Sequence, residues 1–229
     1  MTLCVNIRKQ LPQFTLKVSL SCLPGQLTAI VGPSGAGKST LMRIIAGLER
    51  PDRGVVTLGD TVFVDTANDI FLPPQKRGLG LVFQDYPLFP HLSVRNNVGF
   101  ATKDEQRIDE LLDIFGVAHL ADKRPGAVSG GERQRVAFCQ ALARNPVLLL
   151  LDEPFSALDV DTRRSLRCEL RDLKNSLTVP ILHVTHDLEE AAYLADQTIP
   201  LERGCLSENW LTRVAPGCSN DLSAFMPQP

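Results

Sequence analysis

From residue 14 to residue 22 the chain alternates, with Phe14, Leu16, Val18, Leu20 and Cys22 separated by polar residues. Successive side chains of a strand point to opposite faces, so this period of two predicts a half-buried, antiparallel strand. Residues 55–58 and 62–64 read as two more strands, joined by Gly59-Asp60 as a two-residue hairpin turn. Four other runs, 27–31, 79–83, 147–151 and 179–184, are apolar without alternation. Such strands are buried on both faces, as in a parallel sheet with helices on both sides. Between them the period lengthens. Leu41, Ile44, Ile45 and Leu48 share one helical face, and so do Ile108, Leu111, Leu112 and Phe115, with Gly116 as a natural stop. Leu166, Leu170, Leu173 and Leu177 form a third stripe. All three stripes are read as core packing. Residues 86–145 carry helical signals but no clear strand, so a helical lobe inserted into an α/β core is expected. There is no internal repeat, no low-complexity segment and no Pro/Gly-rich linker.

Composition narrows the picture only slightly. The 229 residues suffice for one large domain, or one domain with lobes, around a real core. A net charge of −2 argues against a dedicated nucleic-acid binder, which would carry a basic stripe. No apolar run approaches the ~20 residues of a membrane span, and residues 1–10 lack the apolar centre of a signal peptide. The six cysteines (Cys4, Cys22, Cys139, Cys168, Cys205, Cys218) show no C-x-x-C spacing and read as small reduced hydrophobes of a cytosolic chain. His183 and His186 would point to opposite faces at a strand end, which disfavours a shared metal.

The chemistry lies at the ends of the apolar runs. Gly32-Pro33-Ser34-Gly35-Ala36-Gly37-Lys38-Ser39-Thr40 fits G-x-x-x-x-G-K-[ST] and sits between a buried strand and a helix, the context that gives the motif its meaning. Its glycines let successive amides turn toward phosphate oxygens, and the helix start adds partial positive charge. Lys38 would reach the β- and γ-phosphates, and Ser39 would ligate Mg²⁺. The run 148–151 ends in Asp152 and Glu153, where parallel sheets bind ligands. Asp152 is expected to hold Mg²⁺ and Glu153 to polarise the attacking water. Gln84 and His186 end two other runs on the same sheet edge. Gln84 could ligate Mg²⁺ or orient water, and His186 could donate to the γ-phosphate. A second glycine pair, Ser129-Gly130-Gly131-Glu132, opens another helix with no lysine of its own.

In this order the motifs resemble the ATPase subunit of ABC transporters, over residues 16–204. The resemblance implies a P-loop NTPase (RecA-like) α/β fold: a parallel-sheet core with a small antiparallel β subdomain and an inserted helical subdomain. It assigns residues 32–40 to the Walker A loop, Gln84 to the Q-loop, Ser129 to Glu132 to the signature and 148–152 to the Walker B strand. Ser156-Ala157-Leu158-Asp159 becomes the D-loop and His186 the switch histidine. Val128 and Glu132 stand where the family usually has Leu and often has Gln. The family stacks adenine on an aromatic residue before Walker A; Phe14 is the nearby candidate, with a core residue of its strand as the equal alternative. The implied assembly is a head-to-tail homodimer sandwiching two ATP and Mg²⁺, with Ser129, Gly130 and Gly131 of one copy closing on the γ-phosphate held by Lys38 of the other.

The apolar, proline-fixed stretch Tyr86-Pro87-Leu88-Phe89-Pro90-His91 would, in such importers, receive a transmembrane permease subunit. A periplasmic or extracellular binding protein would act indirectly, and no nucleic acid would take part. The chain would lie peripherally on the cytoplasmic face of the membrane. Leu72-Pro73-Pro74-Gln75-Lys76-Arg77, residues 8–14, 83–91 and 181–187 look most like ATPases of molybdate/tungstate-type importers. Iron(III), sulfate and polyamine importers share much of this, and a soluble ABC ATPase of cofactor assembly is the other alternative. The ATPase domain is expected at 1–204, with its helical subdomain at about 86–145. A polar tail, 205–229, would follow, too short for a regulatory domain.

Overall fold

The computed structural model describes residues 1–207, except Gln84, Tyr86 and Ala157, together with Trp210. Its strands are β1 (Leu3–Gln10), β2 (Thr15–Cys22), β3 (Leu27–Val31), β4 (Arg53–Leu58), β5 (Thr61–Asp65), β6 (Ile70–Phe71), β7 (Leu79–Val82), β8 (Leu148–Asp152), β9 (Ile181–Thr185), β10 (Gln197–Glu202) and β11 (Cys205–Leu206). Its helices are α1 (Lys38–Ala46), α2 (Val94–Gly99), α3 (Glu105–Ile114), α4 (Gly130–Leu142), α5 (Val160–Ser176) and α6 (Leu188–Leu194). The strands form one sheet in the order β6-β5-β4-β1-β2-β11-β10-β3-β9-β8-β7.

The sheet has two halves with different connections. On one side β2, β1, β4, β5 and β6 pair antiparallel, and Gly59, with φ +54°, makes the β4–β5 turn. On the other, β10, β3, β9, β8 and β7 run parallel, with helices as their crossovers. The short β11 joins the halves: it pairs antiparallel with β10 and parallel with β2. The sheet therefore runs two residues past the expected domain end at Gly204. Of the expected tail beyond β11, only Ser207 and Trp210 are described, and Trp210 packs on the core.

Period two decides which core each strand feeds. Leu149 and Leu151 face a core shared by the helical lobe and α5, with Val98, Leu111, Phe138 and Leu166. Leu148 and Leu150 face the other way, into a core shared by α1 and the antiparallel strands. Burial on both faces is why these runs show no alternation in sequence. The run at 79–83 behaves differently from expectation. It is the sheet edge, so Leu79 and Leu81 are only half-buried and Phe83 is exposed. Leu48 also departs from its predicted helical stripe. Gly47, at φ +82°, ends α1 and leaves Leu48 outside it and exposed.

The helical lobe lies where the sequence places it. No strand interrupts the described residues between β7 and β8, and Ser93 caps α2 by accepting from the Asn96 N–H. Asn97, fully buried, holds the loop before α2. Its Oδ1 accepts from the Phe89 N–H at 2.7 Å, and its Nδ2 donates to the carbonyls of Phe89, Leu92 and Ser93. Among the described residues no helix is long and apolar enough to cross a membrane.

Candidate functional site

Three parallel strands deliver the site residues to one sheet edge. β3 ends at Val31 before the glycine loop, β8 ends at Asp152, and β9 ends at Thr185, directly before His186. The edge is the carboxyl end of the sheet, where α/β folds leave room for a ligand.

The loop turns into α1 at Gly37, whose φ of +103° few L side chains tolerate. A Cβ there would meet the Leu16 side chain at 3.1 Å and the Phe14 ring at 3.5 Å. No side chain caps the start of α1, so its first amides stay available to an anion. Lys38 folds back over the loop: its Nζ donates to the Gly32 and Pro33 carbonyls at 2.7 and 3.0 Å, and the residue is 5% exposed. Burial pulls its pKa below the usual lysine value, while the nearby Glu153 and Asp152 carboxylates push it back up. Two of its three donors are engaged, so reaching a bound anion means exchanging carbonyls for phosphate oxygens.

Ser39 Oγ donates to Asp152 Oδ1 across 3.5 Å, linking β8 to α1. Burial raises the Asp152 pKa, and the adjacent Glu153 charge adds to this, against the opposing effects of Ser39 and Lys38. A half-buried carboxylate, a hydroxyl and a second carboxylate side by side are hard oxygen donors. They fit a Mg²⁺ ion, which takes one or two protein oxygens and fills its other positions from phosphate and water.

Glu153 has φ +45°, rare for a residue with a Cβ. The strained turn is pinned at both ends. The Glu153 N–H donates to the Val184 carbonyl at 2.9 Å, and the Glu153 carbonyl accepts from Ser156 Oγ at 3.0 Å. This orientation places Glu153 Oε2 3.1 Å from Nδ1 of His186. The imidazole is about half exposed and Glu153 mostly covered, so the pair faces the open edge with the histidine outermost. Lys38, Ser39, Asp152, Glu153 and His186 thus form one constellation.

The second glycine pair does not join it. Ser129 caps α4 by accepting from the Glu132 N–H, and the Glu132 carboxylate accepts from the Ser129 N–H at 2.7 Å. This capping box holds Glu132 below the usual carboxylate range, chiefly through the Ser129 amide. Gly130 faces open space, whereas a Cβ on Gly131 would land on the Thr162 side chain of α5. Among the described residues no hydrogen bond or ion pair links Ser129, Gly130, Gly131 or Glu132 to Lys38 or His186.

Phe14 sits just before β2, not within it, and its half-buried ring lies against Gly37 and Gly204. Gln84, Tyr86 and Ala157 lie outside the described residues. Of the expected contact stretch, Leu88 packs on the helical core, while Phe89 stacks obliquely on the exposed Phe100 with ring centroids 4.5 Å apart.

Two features escaped the sequence reading. Gln134, buried in α4, donates through Nε2 to the Pro154 carbonyl and so ties α4 to the turn after Glu153. A polar group stands behind His186: the buried His183 and Glu190, with the partly buried Arg167 and Asp187. The spacing of Asp187 and Glu190 as N-cap and third helical residue was a visible signal for the α6 start. Nothing local pointed to Arg167.

Comparison with known proteins gives consistent results. The sequence signature of the ABC transporter family matches residues 16–156. A molybdate/tungstate import ATP-binding protein of Archaeoglobus fulgidus is 45% identical over 214 residues, covering 91% of this chain and 86% of that protein. A molybdenum import ATP-binding protein of Mannheimia succiniciproducens is 44% identical over 207 residues, covering 89% of this chain but only 58% of its own length. Among solved structures, a dimeric ATP-binding cassette in a post-hydrolysis state, bound to ADP and Pi, superposes with a TM-score of 0.75 at 29% identity. That match covers 91% of this chain and 97% of the other.

Proposed function

The chain belongs to the ABC transporter family, and from that premise we propose that it is the ATP-hydrolysing subunit of an importer for an oxyanion such as molybdate or tungstate. The reaction is ATP plus water to ADP plus phosphate, and the closing motion it drives is the useful output. One observation carries the reading: three strand ends bring Lys38, the Ser39–Asp152 pair and the Glu153–His186 pair to one open edge.

In this reading the amides of residues 32–40 cradle the phosphates, and Lys38 leaves its loop carbonyls to neutralise the β- and γ-oxygens. Ser39 and Asp152, with Gln84, would hold Mg²⁺, whose role is to neutralise charge on the phosphates. Glu153 orients the water and draws on its proton, and His186 donates toward the γ-phosphate. Such catalysis is positioning plus electrostatics, worth far more in a closed site than in water.

The missing donors would come from Ser129, Gly130 and Gly131 of a second copy, as a head-to-tail homodimer supplies them. That α4 starts without partners in the constellation of its own chain supports this arrangement, as do the dimeric cassettes among the structural relatives. The oxyanion identity rests on the names of the relatives, because cargo would never touch this subunit. The exposed aromatic ground around Phe89 and Phe100 would take the transmembrane permease, holding the chain at the cytoplasmic face of the membrane.

The test is Glu153→Gln. It keeps size and hydrogen bonding but removes the base, so ATP should be trapped and a dimer should appear on size exclusion. A monomer at saturating ATP, or undiminished hydrolysis, defeats the reading.

A further inference from the structure

The polar group behind His186 does more than fill space. His183, on β9, is fully buried, and its Nε2 lies 2.5 Å from Glu190 Oε1 on α6. The other Glu190 oxygen is 3.2 Å from Arg167 Nη2 on α5, and the same nitrogen is 2.5 Å from Asp187 Oδ2. Asp187 directly follows His186. Its carboxylate accepts from the Glu190 N–H, and its own N–H donates to Thr185 Oγ1. The backbone on both sides of His186 is therefore held, and the only tie from outside β9 and α6 in this set is one Arg167 nitrogen.

At its other end, α5 starts from Asp159, just after the turn in which Ser156 holds the Glu153 carbonyl. Both members of the Glu153–His186 pair are thus referenced to the same helix. Between the two ties lies a cavity of about 40 Å³ whose walls include Phe155 and the polar side chains of Glu153, Arg163, His186, Asp187 and Glu190. It is roomy enough for a water molecule and polar enough to hold one. His183 and Glu190 are buried at a desolvation cost that an apolar pair would not carry, and Arg167 and Asp187 reach them from the half-buried margin.

We propose that Arg167 is a positioning residue for hydrolysis: through Asp187 and Glu190 it sets the His186–Glu153 pair and makes its geometry depend on the placement of α5. This rests on the ATP-hydrolysis reading given above. The contact is made by one nitrogen, while Arg167 Nε is buried without a partner. A lysine ammonium can do the same work, so charge at one point matters here, not the guanidinium fork.

The experiment is steady-state ATPase of the full chain for Arg167→Met, Arg167→Lys and Asp187→Asn, with Glu153→Gln as reference. Arg167→Met should lower kcat about 10-fold while KM for ATP stays within about 2-fold, the pattern of lost transition-state positioning. Arg167→Lys should recover kcat to within about 3-fold of wild type. Asp187→Asn keeps a good helix cap, and so tests the charge contact even if Arg167→Met fails to fold; its kcat should fall several-fold. Wild-type kcat in Arg167→Met or Asp187→Asn overturns the proposal, and so does a lysine variant as slow as the methionine one. Absence of ATPase in the wild type, or full activity in Glu153→Gln, instead defeats the underlying reading.

Discussion

Two helices of this chain start from glycine-rich loops, and they start in opposite ways. α1 begins at Gly37 with no side-chain cap, its amides open and Lys38 folded beside them. α4 begins at Ser129 with a complete capping box, in which the Glu132 carboxylate accepts from the Ser129 N–H. The same helix dipole thus meets no side chain in one place and a first-turn carboxylate in the other. An uncapped start costs about 1 kcal/mol, which a bound phosphate would offset. A capped start stays intact without any ligand, which suits the trans role proposed for Ser129, Gly130 and Gly131.

Three substitutions test this contrast. Lys38→Ala removes the only lysine at either start and should reduce hydrolysis below about 1% of wild type in a phosphate-release assay. Retained turnover would mean that α1 is not the phosphate site. Ser129→Arg should block hydrolysis about as severely, about 100-fold, while nucleotide affinity of the monomer, read by fluorescence titration, changes little. Lost monomer affinity would place α4 inside the site of its own chain and erase the contrast. Glu132→Gln gives the smallest effect. It preserves a capping box but removes the negative charge that would face a partner's γ-phosphate, so ATP-dependent dimerisation should need about 2–5-fold less nucleotide. The helix itself should lose no more than about 1 kcal/mol, since a first-turn carboxylate is worth about that against the dipole. Weaker dimerisation in Glu132→Gln would show that the carboxylate attracts and does not compete.

Much of the fold was legible. The hairpin at Gly59, the three-strand parallel core and the α3 stop at Gly116 follow from period, turn residues and helix stops, all local signals. β1 was missed although Leu3, Val5 and Ile7 alternate with polar residues and are all buried. β10 was missed because Pro200 reads as a strand breaker; it stands in the strand between β3 and β11. β11 has only two residues, too few for any period to show. The edge position of β7 was invisible because an apolar run looks the same at the edge of a sheet as at its centre.

The chemistry on offer is written in the chain alone: a glycine loop with Lys38 and Ser39, two acids closing an apolar run, and a histidine closing another. Those signals survive because each motif needs its residues at fixed short spacing. How they are held is settled by contacts that only folding brings about. Gln134 reaches Pro154, Arg167 reaches Asp187 and Glu190, and the buried Arg77 donates to the Ile44 and Ile45 carbonyls that end α1. These partners are remote in sequence, and a polar side chain there looks like any solvated surface residue until burial forces it to find a partner.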